Sequence, residues 1–376
     1  MGPAGILLLS LIGIAGIAAA IMYVLLPKLL PQLGIDGYRP PFLPEPSAEV
    51  TMLPVVTMAP MDLYDPVERQ TEVVFPDSGS YSWFADPYFY DNVMLLSAGK
   101  VVDQQAVMLA MYFYYPDGRT AEKLPYSPQN DHFLFPRFND DWIVYLDAKM
   151  SGGGAIMAID RSVPNAEPVL VKDIYSGQPE IGLWKDYIVF TDRTGTNMDK
   201  LFVCDLSTME TVTLAMFQKS IYGQSTPDIN NGIITWADAD IGSTETSAIN
   251  TITIGTSGIK SYSPGTYVHD VENDGLHTVW LTGHHGPDTA LYYSTNNGPA
   301  IKVADGVVDF GLSNAFIAYT ADEVLYAYMF NTGKAYQISP DQQRAQFLGV
   351  SDGKVLWLDV TSRDVSRDVV MFAEIP

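Results

Sequence analysis

The chain has 376 residues, with 21 Lys and Arg against 44 Asp and Glu, a formal net charge of −23. At roughly 150 residues per domain this is one large domain or two medium ones. With 47% hydrophobic and 12% aromatic residues, it can fill a sizeable core, so wholesale disorder is excluded. So acidic a chain lacks the Lys and Arg that phosphates require, which excludes nucleic acid as the main ligand. The single cysteine, Cys204, excludes an internal disulfide framework and any cysteine-cluster zinc site.

Residues 5–26, GILLLSLIGIAGIAAAIMYVLL, are apolar or small, and no charged residue precedes Lys28. As a helix the run is about 30 Å long, the thickness of a bilayer core. It exceeds the usual apolar region of a cleaved signal peptide, and it predicts a transmembrane anchor over residues 1–30. Lys28 and Arg39 follow the run and would place the remainder in the cytoplasm under the positive-inside rule. Two residues are a weak bias beside Asp36, Glu45 and Glu49, and an extracytoplasmic domain is the expectation kept here. Gly16 and Ala20, four apart, have the spacing that lets two membrane helices approach closely. Residues 31–70 are rich in proline and lack a sustained period. They read as a semi-rigid stalk, with VTMLPVVTM the part suited to packing along a domain surface.

From residue 71 onward the sequence repeats. DNVMLL, DDWIVY, KDYIVF, NGIITW, GLHTVW, NAFIAY and GKVLWL are seven short apolar strands ending at Leu96, Tyr145, Phe190, Trp236, Trp280, Tyr319 and Trp357. Their mean spacing, 43.5 residues, is the size of a four-stranded propeller blade. Turn pairs such as Asn231-Gly232, Asp274-Gly275 and Asp352-Gly353 precede several of these strands and tolerate the positive φ of tight hairpins. After each comes a polar loop and further alternating strands, clearest in YIVFTD, RTGTNMD, KLFVCDL, STME, TVTLAM. The last copy is short of strands, and the N-terminal segments QTEVVFP and SYSWFADPYFY are predicted to complete it, removing the open edges. The fold class read from this pattern is all-β: a β-propeller of seven four-stranded blades over residues 71–376, with six or eight blades as alternatives, preceded by one transmembrane helix.

The third copy, IVFTDRTGTNMDKLFVCDLSTMETVTL, resembles the blades of TolB-like propellers, in which a strand ends in a Ser/Thr-Asp-Arg-x-Gly loop and an Asp-x-x-Thr/Gly turn follows the next strand. WIVYLDAKMSGGGAIMAIDRS is a weaker copy. The resemblance covers roughly 300 residues as a pattern. The Gly-His and Trp-Asp markers of related WD-like repeats are absent. The resemblance implies protein binding or scaffolding.

Candidate binding residues are His284, His285 and Asp288 in the loop TGHHGPD, where imidazoles and a carboxylate suit metal binding or proton transfer. Trp83 and Phe84 belong to an aromatic run that either stacks on a sugar or peptide or fills blade interfaces. Asp238, Asp240 and Glu245 in DADIGSTE are oxygen donors suited to a hard cation, without the full calcium-loop pattern. His269 and His277 flank the turn VENDG. No G-x-S-x-G or H-E-x-x-H element occurs, no catalytic residue is assigned, and no cofactor is expected. These readings lead to a membrane-anchored extracytoplasmic propeller acting as a non-catalytic scaffold at the cell envelope, with a protein, peptide or glycan partner at one mouth. The alternatives are a propeller enzyme, hydrolase or lyase, with its site in the central funnel, and an envelope sensor.

Overall fold

The computed structural model describes residues 51–52, 55–56, 63–64, 70–72 and 81–375, except 82, 103–104, 176, 194–197, 219–225, 240–245, 284–287, 341, 352 and 363–368. The apolar run 5–26 lies outside the described residues, and among those described no helix is long and apolar enough to cross a membrane.

Seven antiparallel sheets follow one another along the chain. Blades 1 to 6 span residues 83–123, 132–174, 182–218, 228–263, 268–305 and 307–337, and blade 7 spans 345–374 together with 70–72. Each anchor predicted from the repeat lies on the second strand of its blade. The reason these segments are strands is visible in their burial. Along Trp142–Ala148 and His277–Thr282 every residue is buried, because the second strand is covered by a neighbouring blade on each face. Successive side chains point to opposite faces of a strand. Leu96, Tyr145, Phe190, Trp236, Trp280, Tyr319 and Trp357 accordingly all turn toward the preceding blade, and the residues beside them toward the following one. The apolar core is therefore a ring of clusters, each lying between two blades. The cluster joining blade 7 to blade 1 contains Leu356, Leu358 and Phe372 against Met94, Leu96 and Tyr112, so the ring is closed by packing.

Hairpin turns between first and second strands carry the predicted chemistry. Asn231 and Gly232 both have positive φ, 50° and 74°, the geometry of a type I′ turn, whose twist matches the flanking strands. In blade 5 the Asp274 side chain instead caps the turn, accepting from the backbone N–H groups of Leu276 and His277 and bonding His277 Nδ1 at 2.8 Å. The His277 ring is stacked on Phe330 with centroids 3.8 Å apart. His277 is thus a buried packing residue that ties blade 5 to blade 6.

The N-terminal side of the domain holds four short strands: β1 (Thr51–Met52), β2 (Val55–Val56), β3 (Leu63–Tyr64) and β4 (Gln70–Glu72). Within the segment read as a stalk, β1, β2 and β3 add in parallel to the outermost strands of blades 4, 5 and 6. β4 pairs antiparallel with Val369–Glu374 and supplies the outermost strand of blade 7. Closure by an N-terminal strand is as expected, but one strand closes the ring rather than two. The segment SYSWFADPYFY holds the innermost strand of blade 1, because it pairs with the Leu96 strand. Blade 7 takes its own innermost strand from Ala345–Ser351, ahead of its anchor.

Candidate active site

The innermost strands line the centre of the ring. Ten residues before the anchors stand Asp86, Phe135, Glu180, Thr226, Asp270, Asp309 and Phe347. Eight residues before them stand Tyr88, Arg137, Gly182, Asp228, Glu272, Gly311 and Gly349. Positions two apart share a strand face, and all of these residues except Asp86 and Phe135 line one cavity of about 1120 Å³. The wall is uneven in charge. Blades 3 to 6 contribute Glu180, Asp228, Asp270, Glu272 and Asp309, whereas Arg137 of blade 2 stands opposite in sign, its guanidinium 3.9 Å from Glu180 and over the Tyr88 ring at 5.1 Å.

Local backbone irregularity aims these side chains. The pairing of first and second strands shifts register between Ala85 and Tyr88, Val268 and Asp270, Val307 and Asp309, and Phe347 and Gly349. Such bulges insert an unpaired residue and redirect its neighbours. Asp86 and Phe135 both sit at positive φ, 51° and 50°, a region that disfavours a bulky side chain. The two are joined, since the Phe135 N–H donates to Asp86 Oδ2 at 3.0 Å. Asn273 N–H donates to Asp228 and Leu312 N–H to Glu272 in the same way, at 2.8 and 2.6 Å. Carboxylates on one blade thus hold the innermost strand of the next.

Crowding of acids changes their chemistry. Burial, reinforced by the nearby Glu180 and Asp309, pushes the Asp270 carboxyl up to about 8. Burial raises Asp309 to about 7 against the opposing Phe310 N–H, with Glu180 adding to the rise. Glu272 is raised well above the carboxylate range by burial and then by Asp228 and Asp270, and Asp228 is raised with it. Glu180 is also raised by burial, although Arg137 opposes the shift. Its side chain keeps 47% of its surface accessible, facing the cavity. Groups titrating near neutrality inside a cavity are suited to giving and taking protons.

The residues singled out from sequence lie elsewhere. Trp83 packs in the interface with blade 2 and Phe84 in that with blade 7. Asp238 is half-buried near the end of the second strand of blade 4, opposite Ala248, while Asp240 and Glu245 lie outside the described residues. His284 and His285 also lie outside them, and Asp288 is exposed in the same loop of blade 5. That loop joins the second and third strands, at the end of the blade away from the turn that follows Asn273. Of the described ones, Trp83, Phe84, Asp238 and Asp288, none lines the cavity. The channel acids went unread, although the recurrence of an acid ten residues before four of the anchors is present in the sequence.

No protein-family model and no curated protein matches the sequence. Solved structures match over most of its length. The β-propeller domain of the Trilobed protease from Pyrococcus furiosus superposes with a TM-score of 0.57 at 11% identity, over 74% of this chain and 91% of that one. An oligogalacturonate lyase from Vibrio parahaemolyticus gives 0.55 at 12% identity, over 87% and 99%. An oligogalacturonate lyase in complex with manganese gives 0.54 at 13% identity, over 88% and 98%. The chain is a seven-bladed β-propeller. The expectation of a non-catalytic scaffold is overturned here, because the similar structures are mostly enzyme propellers, peptidases and lyases among them. The scaffold reading rested on a sequence resemblance to one branch of a fold that carries many functions.

Proposed function

We propose that the chain is a propeller enzyme, a hydrolase or lyase, whose site is the carboxylate-lined central channel. The observation that carries this reading is the convergence of Asp270, Asp309, Glu272, Asp228 and Glu180 on one cavity that also holds Arg137. Both reaction classes require two groups in different protonation states at one pH. With Asp270 at about 8 and Asp309 at about 7, the first holds its proton at neutral pH while the second exchanges its own. In an elimination, Asp309 as carboxylate takes the proton from carbon and Asp270 gives one to the leaving oxygen. In a hydrolysis, the same pair activates water and protonates the leaving group. Arg137 supplies the positive charge that orients a substrate carboxylate or an oxyanion.

A manganese ion is named with one of the similar lyases. Oxygen donors suit such an ion, but among the described residues no three His, Cys, Asp or Glu side chains stand close enough together to hold one. The described channel acids therefore do not fit a metal centre. The test compares the wild-type chain with Asp270→Asn and Asp309→Asn on panels of uronate oligosaccharides and peptides, following unsaturated product and newly released ends. Each variant is expected to lose about 10²–10⁴-fold in kcat with its circular dichroism unchanged. Turnover by the variants equal to the wild type, or none by the wild type on either panel, overturns the reading.

The apolar run 5–26 supports a second proposal, that the chain is held in a membrane, and analogy with anchored propellers favours the extracytoplasmic side for its propeller. Protease added to intact spheroplasts is expected to remove the propeller while a cytoplasmic control protein survives. Protection that vanishes on lysis would reverse the orientation.

A further inference from the structure

We propose that the outer edge of blade 3 is a strand-addition site for an extended, proline-flanked apolar segment of a partner protein. The surface lies on the rim of the ring and is independent of the channel chemistry. The domain itself shows what its rim accepts. β1, β2 and β3 are Thr-Met, Val-Val and Leu-Tyr pairs from a chain punctuated by Pro54, Pro60 and Pro66, and each lies parallel along the outermost strand of its blade, on three consecutive blades. Blade 3 is the next blade in that same series.

Its outermost strand, Glu210–Gln218, has nine residues, against six in blade 2 and four in blade 1. Among the described residues nothing pairs with its outer edge. An unpaired edge presents a row of backbone donors and acceptors, and proteins that must keep such an edge empty shorten it or place charge on it. Blade 1 does both, with the four residues Thr120–Lys123 containing Glu122 and Lys123. Blade 2 carries Lys172 and Asp173 on its outer strand. Blade 3 does neither: in ETVTLAMFQ the only charged residue is Glu210. Val212 and Met216 are 50% and 57% exposed, so apolar side chains accompany the open backbone edge. Main-chain hydrogen bonds would give the affinity and contact with the exposed Val212 and Met216 side chains the selectivity. The occupant that fits is chemically like the segment already seated on the adjacent blades. Residues 50–58, which hold the strands on blades 4 and 5, are apolar and free of charge around Pro54.

The probe is a synthetic peptide with the sequence of residues 50–58, VTMLPVVTM, added to the full-length chain. Amide hydrogen exchange is followed across the whole chain. The expected result is slowed exchange confined to 210–218, weakened about tenfold in peptide affinity by the paired surface substitutions Val212→Lys and Met216→Lys, with the melting temperature unchanged. Three results overturn the proposal. One is the absence of protection at 210–218, or protection that the lysine pair leaves intact. Another is protection in the free chain that grows with protein concentration, which assigns the edge to a second copy. The last is protection in the free chain that disappears when residues 1–48 are deleted, which assigns it to the chain's own N-terminal part.

Discussion

Replacing Asp270 by Asn is expected to make the protein more heat-stable at pH 8 while its turnover collapses. The Asp270 carboxyl sits at about 8 in the folded state, and in the unfolded chain it returns to the ordinary value near 3.9. A group raised in this way binds its proton more tightly when folded. Its contribution to stability is fully present below about pH 4 and is lost as pH rises through about 8. Each carboxyl group that differs in proton occupancy between the two states costs about 1.4 kcal/mol per pH unit across its window. Asp309, at about 7, and the raised Asp228 and Glu272 act in the same direction. The wild-type melting temperature should therefore fall between pH 5 and pH 8. An amide at position 270 cannot ionise, so the variant should match the wild type near pH 4 and exceed it at pH 8, with a flatter profile. A wild-type profile that rises over this range, or identical profiles for both proteins, would remove the buried acid cluster from the account. A gain in stability paired with a loss of activity is the signature of a group kept for chemistry at the expense of the fold.

Trp280→Ala is expected to cost about 3–5 kcal/mol in unfolding free energy, the range for deleting a large aromatic side chain from a packed interior. Trp280 is fully buried between blades 4 and 5. It touches the cluster of Ala237, Ile249, Val268, Val271 and Ala300, and its ring is stacked on Tyr292 at 6.0 Å. Rigid sheets on both sides restrict collapse into the space left behind, which places the cost toward the upper part of that range. Trp280→Phe keeps an aromatic plane against Tyr292 and should lose clearly less. Leu276→Ala, in the neighbouring turn at 48% exposure, serves as a control and should change stability by no more than about 0.5 kcal/mol. Urea titration of the three variants decides the matter: a loss below 1 kcal/mol at Trp280 would mean that the blade interfaces are not where the ring is held together.

Much of the architecture is legible in the sequence. The anchors could be read because every blade needs one large side chain on its second strand, turned toward the preceding blade, at an interval set by four strands and their turns. Leu96 through Trp357 satisfy that requirement, and Asn231-Gly232 satisfies the left-handed turn beside one of them. Burial on both faces leaves such strands continuously apolar, a local property that a single sequence carries. Closure by N-terminal residues was also legible, since the last repeat was short. Its detail was not, because nothing local distinguishes an innermost strand such as Trp83–Tyr90 from one that completes a distant sheet.

The site belongs to the other category. Glu180, Asp228, Asp270 and Asp309 read individually as loop or edge acids on a chain with surplus negative charge, and 39 to 48 residues separate each from the next. Their offset from the anchors was written in the sequence, but it has meaning only once the strand ahead of each anchor is known to face the centre of the ring. The repeat, the strand alternation and the apolar second strands that fill the blade interfaces are written locally, because they depend on residues a few positions apart. Which acids meet follows from the closed ring alone, since burial and mutual repulsion act through space, and those two effects turn ordinary carboxylates into groups that exchange protons near neutral pH.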